Sequence, residues 1–211
     1  MPACPPASLR LLLPALLAAT GFAGPETALF AEPPAAGEIA QQTAEQPKVS
    51  TRIYLSGDKL VAGSTVPFAV KATIAEGWHV NAQPPSQEYL IPITVSVKST
   101  HGTKLVDMLY PQGAGHDSGV GQIAIYEGEV YLFGTIEVPQ TVGQTEELVF
   151  ETSYQTCSDA NECLPPAKSK ITGKIAIVAP GTPVKPMNAQ IFQRREQIRL
   201  SGTLIKAETL R

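Results

Sequence analysis

The sequence predicts an all-β fold, arranged as a two-sheet antiparallel sandwich. Three observations predict it. Apolar residues alternate with period two along most of the chain, turn signals interrupt the alternation at short intervals, and sustained helical periodicity is absent from the body. Taken in order, Arg52–Leu55 is a weak first strand. Val66, Phe68, Val70, Ala72 and Ile74 line one face of a second. Ile93, Val95 and Val97 repeat the pattern, and Lys104–Tyr110 is a weaker strand. Val130, Leu132, Gly134, Ile136 and Val138 follow, then Leu148, Phe150, Thr152 and Tyr154, then Ile171, Gly173, Ile175 and Ile177. Ser56-Gly57-Asp58, Ala62-Gly63-Ser64, Pro84-Pro85-Ser86, Glu127-Gly128-Glu129 and Val142-Gly143-Gln144 punctuate these runs. Seven to nine short strands result. Pro180, Pro183 and Pro186 are expected to end the sheets. Residues 188–200 form one short helix with a weak apolar stripe of Ile191, Phe192, Ile198 and Leu200.

Size and composition agree with one such domain. The chain has 211 residues, 43% hydrophobic and 17% charged, which suits a globular core and argues against disorder. Its net charge of −3 lacks the basic surplus that nucleic-acid binding requires. The 19 Pro and 17 Gly are spread without a Gly-X-Y period, so a collagen is excluded.

The first fifty residues carry targeting information. Leu11 to Pro25 is uncharged, centres on LLLPALLAA and follows Arg10. It is short for a membrane span, which needs about 20 apolar residues, and fits the apolar core of a secretory signal peptide. Cleavage is expected after Ala23 or Ala31, leaving an exported, periplasmic protein with no stable membrane span. Residues 24–50 read as a flexible linker, residues 51–180 as the domain, and residues 181–211 as a linker and basic tail for which a solvated end is the default.

Export turns attention to cysteine. Removing the leader removes Cys4 and leaves Cys157 and Cys163, a disulfide candidate in an oxidising compartment. Five residues separate them, at the end of one strand and the start of the next. Closing so short a loop stabilises by only about 2.4 kcal/mol, against about 4.7 for a 100-residue loop. A short bond in an exposed hairpin is well placed for thiol exchange. Spacing alone leaves a staple and an exchanging pair equally open.

The surroundings add more. The segment 154–166 reads YQTC, five residues, then CLPP. Gly77-Trp78-His79-Val80-Asn81 precedes Pro84-Pro85-Ser86 and Tyr89-Leu90-Ile91-Pro92, and Ile125-Tyr126-Glu127-Gly128-Glu129-Val130 opens a strand. In this order and spacing the set resembles the N-terminal periplasmic domain of the DsbD thiol:disulfide interchange proteins, over about residues 50–180. The resemblance implies an immunoglobulin-like sandwich. It implies a dithiol that takes electrons from a membrane thiol reductase and passes them to oxidised, thioredoxin-like periplasmic proteins through mixed disulfides, with cytochrome c maturation among the destinations. It also implies Cys163 as the nucleophile, Cys157 as the resolving thiol, and a cap loop at residues 116–122. There Asp117 stands where the family has an acid and Ser118 where a second acid is common. Gly119 and Val120 replace aromatic cap residues. Gly119 and Gly121 make the loop permissive. The resemblance therefore leaves Val120, Tyr126 or Tyr131 to shield the sulfurs and Asp117 to raise the thiol pKa.

Other signals carry less. Gly113-x-Gly115 with Gly119-x-Gly121 lacks the helix that a phosphate loop feeds. His79, His101 and His116, with Met108, are separated by long irregular intervals, without the close pairs of a structural zinc site. No metal or cofactor is expected, the histidines are expected on surfaces or loops, and Trp78 in the core. The competing reading is an immunoglobulin-like binding or chaperone module whose Cys157–Cys163 bond is a staple.

Overall fold

Alternation along the longest apolar runs is satisfied by two stacked sheets. In the computed structural model, residues 47–119, 121–160, 162–200 and 204–206 are described. They form β1 (Val49–Leu55), β2 (Leu60–Val61), β3 (Thr65–Ile74), β4 (Trp78–Asn81), β5 (Thr94–Ser99), β6 (Lys104–Pro111), β7 (Ala114–Asp117), β8 (Gln122–Tyr126), β9 (Glu129–Glu137), β10 (Thr145–Tyr154), β11 (Thr156–Ser158), β12 (Ala167–Val178), α1 (Ala189–Leu200) and β13 (Leu204–Lys206). One sheet runs β1-β3-β9-β6-β13, and the second runs β2-β12-β10-β5. A third, smaller sheet runs β11-β4-β8-β7. All pairings between these strands are antiparallel except the two-residue β12–β2 contact. The protein is an immunoglobulin-like two-sheet sandwich. The strands beyond the expected seven to nine are mostly short pieces at edges and in the third sheet, too short to show a period. The targeting segment, with Cys4, lies outside the described residues.

The core lies between the two large sheets. Even-numbered positions of β3 (Val66, Phe68, Val70, Ala72, Ile74) meet Val130, Leu132 and Ile136 of β9 and Leu148 and Phe150 of β10. The Phe68 and Phe150 rings bridge the sheets with centroids 5.0 Å apart. Phe68 lies opposite Gly134 in the β3–β9 register, and its ring fills the space a Cβ on Gly134 would take. The period-two face thus carries a glycine because an aromatic ring occupies its side-chain volume.

A correction concerns the tail. The solvated end expected there is instead a docked helix: Ile191 of α1 is buried, and with Phe192 and Ile198 it packs on Ala69, Phe133 and Tyr131. These belong to the odd-numbered face of β3 and β9. Both faces of these strands are consequently covered, one by the second sheet and one by α1. The sheet also continues past the prolines, since β13 pairs with the outer edge of β6.

Near the start of β10 Glu146 is fully buried. Its Oε1 accepts from Thr100 N, Thr100 Oγ1 and His101 N at 2.8–3.0 Å, and its Oε2 from Thr103 Oγ1 at 2.5 Å. These bonds tie the β5–β6 connection to β10. Burial is the largest single influence and pushes the carboxyl pKa up, but these hydrogen bonds together outweigh it and hold the pKa below its usual value.

Candidate functional site

The two cysteines form a disulfide across a tight hairpin, with Cα atoms 4.0 Å apart. Main-chain bonds on both sides close the same hairpin. Ser158 N donates to Glu162 O and Leu164 N to Thr156 O, each at 2.9 Å. Ser158 Oγ accepts from Glu162 N at 3.2 Å, and Gln155 Nε2 donates to Leu164 O at 3.1 Å. The loop is moored to its neighbour by Asp159 N, which donates to Gly77 O at 3.2 Å. Gly77 has φ +75°, a turn conformation that glycine adopts without strain and that starts β4. The two sulfurs stand in different surroundings. Cys157 is buried, at 5% exposure, whereas Cys163 is exposed and leads into exposed Leu164-Pro165-Pro166.

The small sheet supplies the floor. Cys157 lies directly opposite His79, and Val80 opposite both Thr156 and Tyr126. Side chains opposite one another share a face, and successive ones alternate. Cys157, His79 and the Glu127 position therefore fall on one face, and Thr156, Val80 and Tyr126 on the other. On the first face the His79 and His116 rings pack with centroids 4.7 Å apart. His116 enters from β7, opposite Ile123. Here the expectation of surface histidines is overturned for His79, which is 2% exposed. It sits on a strand covered on both sides. Burial, and next the His116 ring, lower its pKa from the usual value, while the Asp159 and Glu127 carboxylates pull the other way. Trp78 is half-buried at the rim of the core, with Lys48 Nζ 4.8 Å above its ring.

The cap positions occupy the β7–β8 hairpin. Asp117 is exposed, and its Oδ1 accepts from Gly119 N at 3.0 Å. It pairs with Gln122, which register places on the face away from Cys157. Ser118 Oγ donates to Gly121 O at 2.8 Å, and Gly119 and Gly121 both take positive φ, +76° and +135°. The hairpin tip is thus closed on itself by Asp117 and Ser118. Val120 lies outside the described residues. Tyr126 is buried, and its hydroxyl donates to Pro111 O at 2.6 Å. It belongs to the main core on the far face of the small sheet. Tyr131 is on the helix-covered face of β9, against Tyr54, Phe133 and Arg194. Register thus sets Tyr126 on the face opposite to that of Cys157, and Tyr131 lies in the sheet that α1 covers. The carboxylates that do approach this end, Glu127 and Asp159, are ones the sequence did not single out. Their one legible sign is position: Asp159 lies between the cysteines, and Glu127 follows Tyr126.

No helix among the described residues is long and apolar enough to cross a membrane. A search of curated proteins found no match to the chain. Among solved structures, the N-terminal periplasmic domain of ScsB from Proteus mirabilis is similar at 14% identity and a TM-score of 0.51, over 74% of this chain and 55% of that one. The chain thus spans about half the length of that structure, and at this identity the likeness shows the fold alone. The N-terminal domain of DsbD from Neisseria meningitidis, in its reduced form, matches at 18% identity and a TM-score of 0.33, over 64% of this chain and 90% of that one. The same organism's complex of the DsbD and PilB N-terminal domains matches at 19% identity and a TM-score of 0.33, over 57% and 80%. The family model for the N-terminal region of the thiol:disulfide interchange protein DsbD matches residues 53–174, more than half of the chain and all of the disulfide site. The chain belongs to the DsbD N-terminal domain family, a family of thiol:disulfide exchange.

Proposed function

We propose that this protein is an exported electron relay that works through the Cys157/Cys163 pair. In the charging step a thiolate of a membrane reductase attacks Sγ of Cys163. The Cys157–Cys163 bond breaks, and Cys157 leaves as a thiolate that takes up a proton. A second thiol of the donor then displaces Cys163, so the donor becomes a disulfide and this chain a dithiol. In the delivery step the Cys163 thiolate attacks the disulfide of an oxidised periplasmic protein, and Cys157 resolves the mixed disulfide. Two electrons and two protons are passed on in each cycle. The recipients we propose are thioredoxin-like proteins, and the N-terminal segment is the export signal.

The observation that carries this reading is the asymmetry of the pair. The exposed sulfur of Cys163 is open to an incoming thiol, while Cys157 is shielded and held beside it. The test is the reduction potential of the pair in purified mature protein, measured in thiol buffers with free thiols counted after alkylation. A value near about −230 mV, with rapid exchange against a thioredoxin-like protein, is expected. A value well below about −300 mV, the usual range of structural disulfides, with no exchange over hours, would sink the relay and favour the staple.

A further inference from the structure

Beside the disulfide, three ligating side chains that are remote in sequence converge. His79 of β4, Glu127 between β8 and β9, and Asp159 in the cysteine loop each bring one ligand atom to within 4.8 Å of the others. Two of the three are exposed carboxylates, which by themselves would mean little. The third is different. His79 is buried, and its Nδ1 has no hydrogen-bond partner among the described residues. That nitrogen lies 3.9 Å from Oδ1 of Asp159, beyond hydrogen-bond reach yet within ion-pair distance of the carboxylate. A buried polar atom left without a hydrogen bond costs stability, so such a ring nitrogen beside two acids calls for an explanation.

A cation supplies one. It accepts the imidazole lone pair, balances two carboxylates and satisfies all three groups together. The packing of His116 on the ring fixes where His79 is held. A cleft of about 320 Å³, lined by Trp78, Glu127, Asp159, Gly77 and Gly128, opens onto the two carboxylates. The donor set selects the ion. One imidazole with carboxylates suits zinc and its neighbours, whereas magnesium and calcium prefer oxygen alone and cuprous ion prefers sulfur. Zinc ligands sit about 2.0–2.2 Å from the metal, hence roughly 3.3 Å from one another in a tetrahedron. Closing the site from its present spacing requires shifts of about 1 Å, which two exposed carboxylates can make by rotation.

We propose that His79, Glu127 and Asp159 form a binding site for a divalent cation of the zinc class, with an open position on the cleft side. The site is independent of the relay reading, since none of its ligands is a cysteine. Occupancy ties the cysteine loop, through Asp159, to β4 and to the β8–β9 turn.

The probe is Zn2+, added to untagged protein with its disulfide intact. Calorimetry gives the stoichiometry, and fluorescence reports the site directly, because Trp78 lines the cleft and is the only tryptophan in the chain. Saturable one-to-one binding with a change in Trp78 emission is expected, together with a rise in melting temperature. Asp159→Asn and Glu127→Gln, both at exposed positions, are expected to fold normally and to weaken binding by about tenfold or more, since losing even an outer partner of a metal ligand costs about that much. Absence of saturable binding, or binding unchanged in both variants, would overturn the site. An equal response to Mg2+ would overturn the assignment to the zinc class.

Discussion

Cys157 and His79 stand directly opposite each other on paired strands, and both are buried. The disulfide therefore has a covered side, formed by the small sheet, and an open side at Cys163. Reactivity should follow. After reduction, a small alkylating agent added in pulses is expected to modify Cys163 first and Cys157 more slowly by about tenfold or more, because access governs thiol chemistry. Mass mapping of the singly modified species reads the order. Equal labelling of the two would contradict the asymmetry.

The hairpin that carries the cysteines is held by main-chain hydrogen bonds as well as by sulfur. Cys157→Ala with Cys163→Ala is accordingly expected to leave the protein folded, with a loss of about 2.4 kcal/mol or less, the chain-entropy limit for so short a loop. Urea unfolding followed by circular dichroism measures it. A double variant that is unfolded at room temperature would show that the disulfide is a principal staple.

Glu146 makes the stability depend on pH in a fixed direction. Its pKa in the folded state lies below the ordinary value of 4.5. The stabilisation is thus complete above about pH 4.5 and is lost as pH falls through the lower folded value. Glu146→Gln keeps the shape and removes the charge. We expect it to cost about 1–3 kcal/mol at neutral pH. The gap from the parent protein should shrink as the parent's carboxylate protonates. Thermal unfolding of both proteins from pH 7 to pH 3 tests this, and a gap that widens with acid would refute it.

The two buried faces of β3 and β9 give a further pair of expectations. Gly134→Ala drives a methyl group into the Phe68 ring and toward Met108, and a loss of about 1–3 kcal/mol is expected from overpacking. Ile191→Ala on α1 is expected to cost about 2 kcal/mol and to expose Phe133. Chemical denaturation measures each. If Ile191→Ala is neutral, the helix contributes nothing to the domain.

The sandwich was legible because β3, β9 and β10 each turn one face to a common core, and such strands alternate in sequence. The docking of α1 was not. Ala69 and Phe133 occupy the positions an alternating pattern assigns to solvent, and Ile191, Phe192 and Ile198 make too thin a stripe to reveal their partner. Cys157 and Cys163 stood out because their spacing and neighbours are local. His79, Glu127 and Asp159 did not, because only the register of β11, β4 and β8 brings them together. A search for closely spaced metal ligands cannot find donors on three separate segments. Asp117 and Ser118 were read as cap-loop positions; they stand at the β7–β8 hairpin tip, and their hydrogen bonds close it.

The main-chain mooring of the cysteine loop, from Ser158 to Glu162 and from Asp159 to Gly77, has a consequence for how such a protein can change over evolution or in the laboratory. Bonds between peptide groups are indifferent to most side chains, so the loop can be recoded residue by residue while its path stays the same. The sandwich then acts as a chassis. If the proposed relay holds, its electron donors and acceptors can be exchanged by rewriting a few exposed positions around Cys163, while the buried core keeps the domain folded.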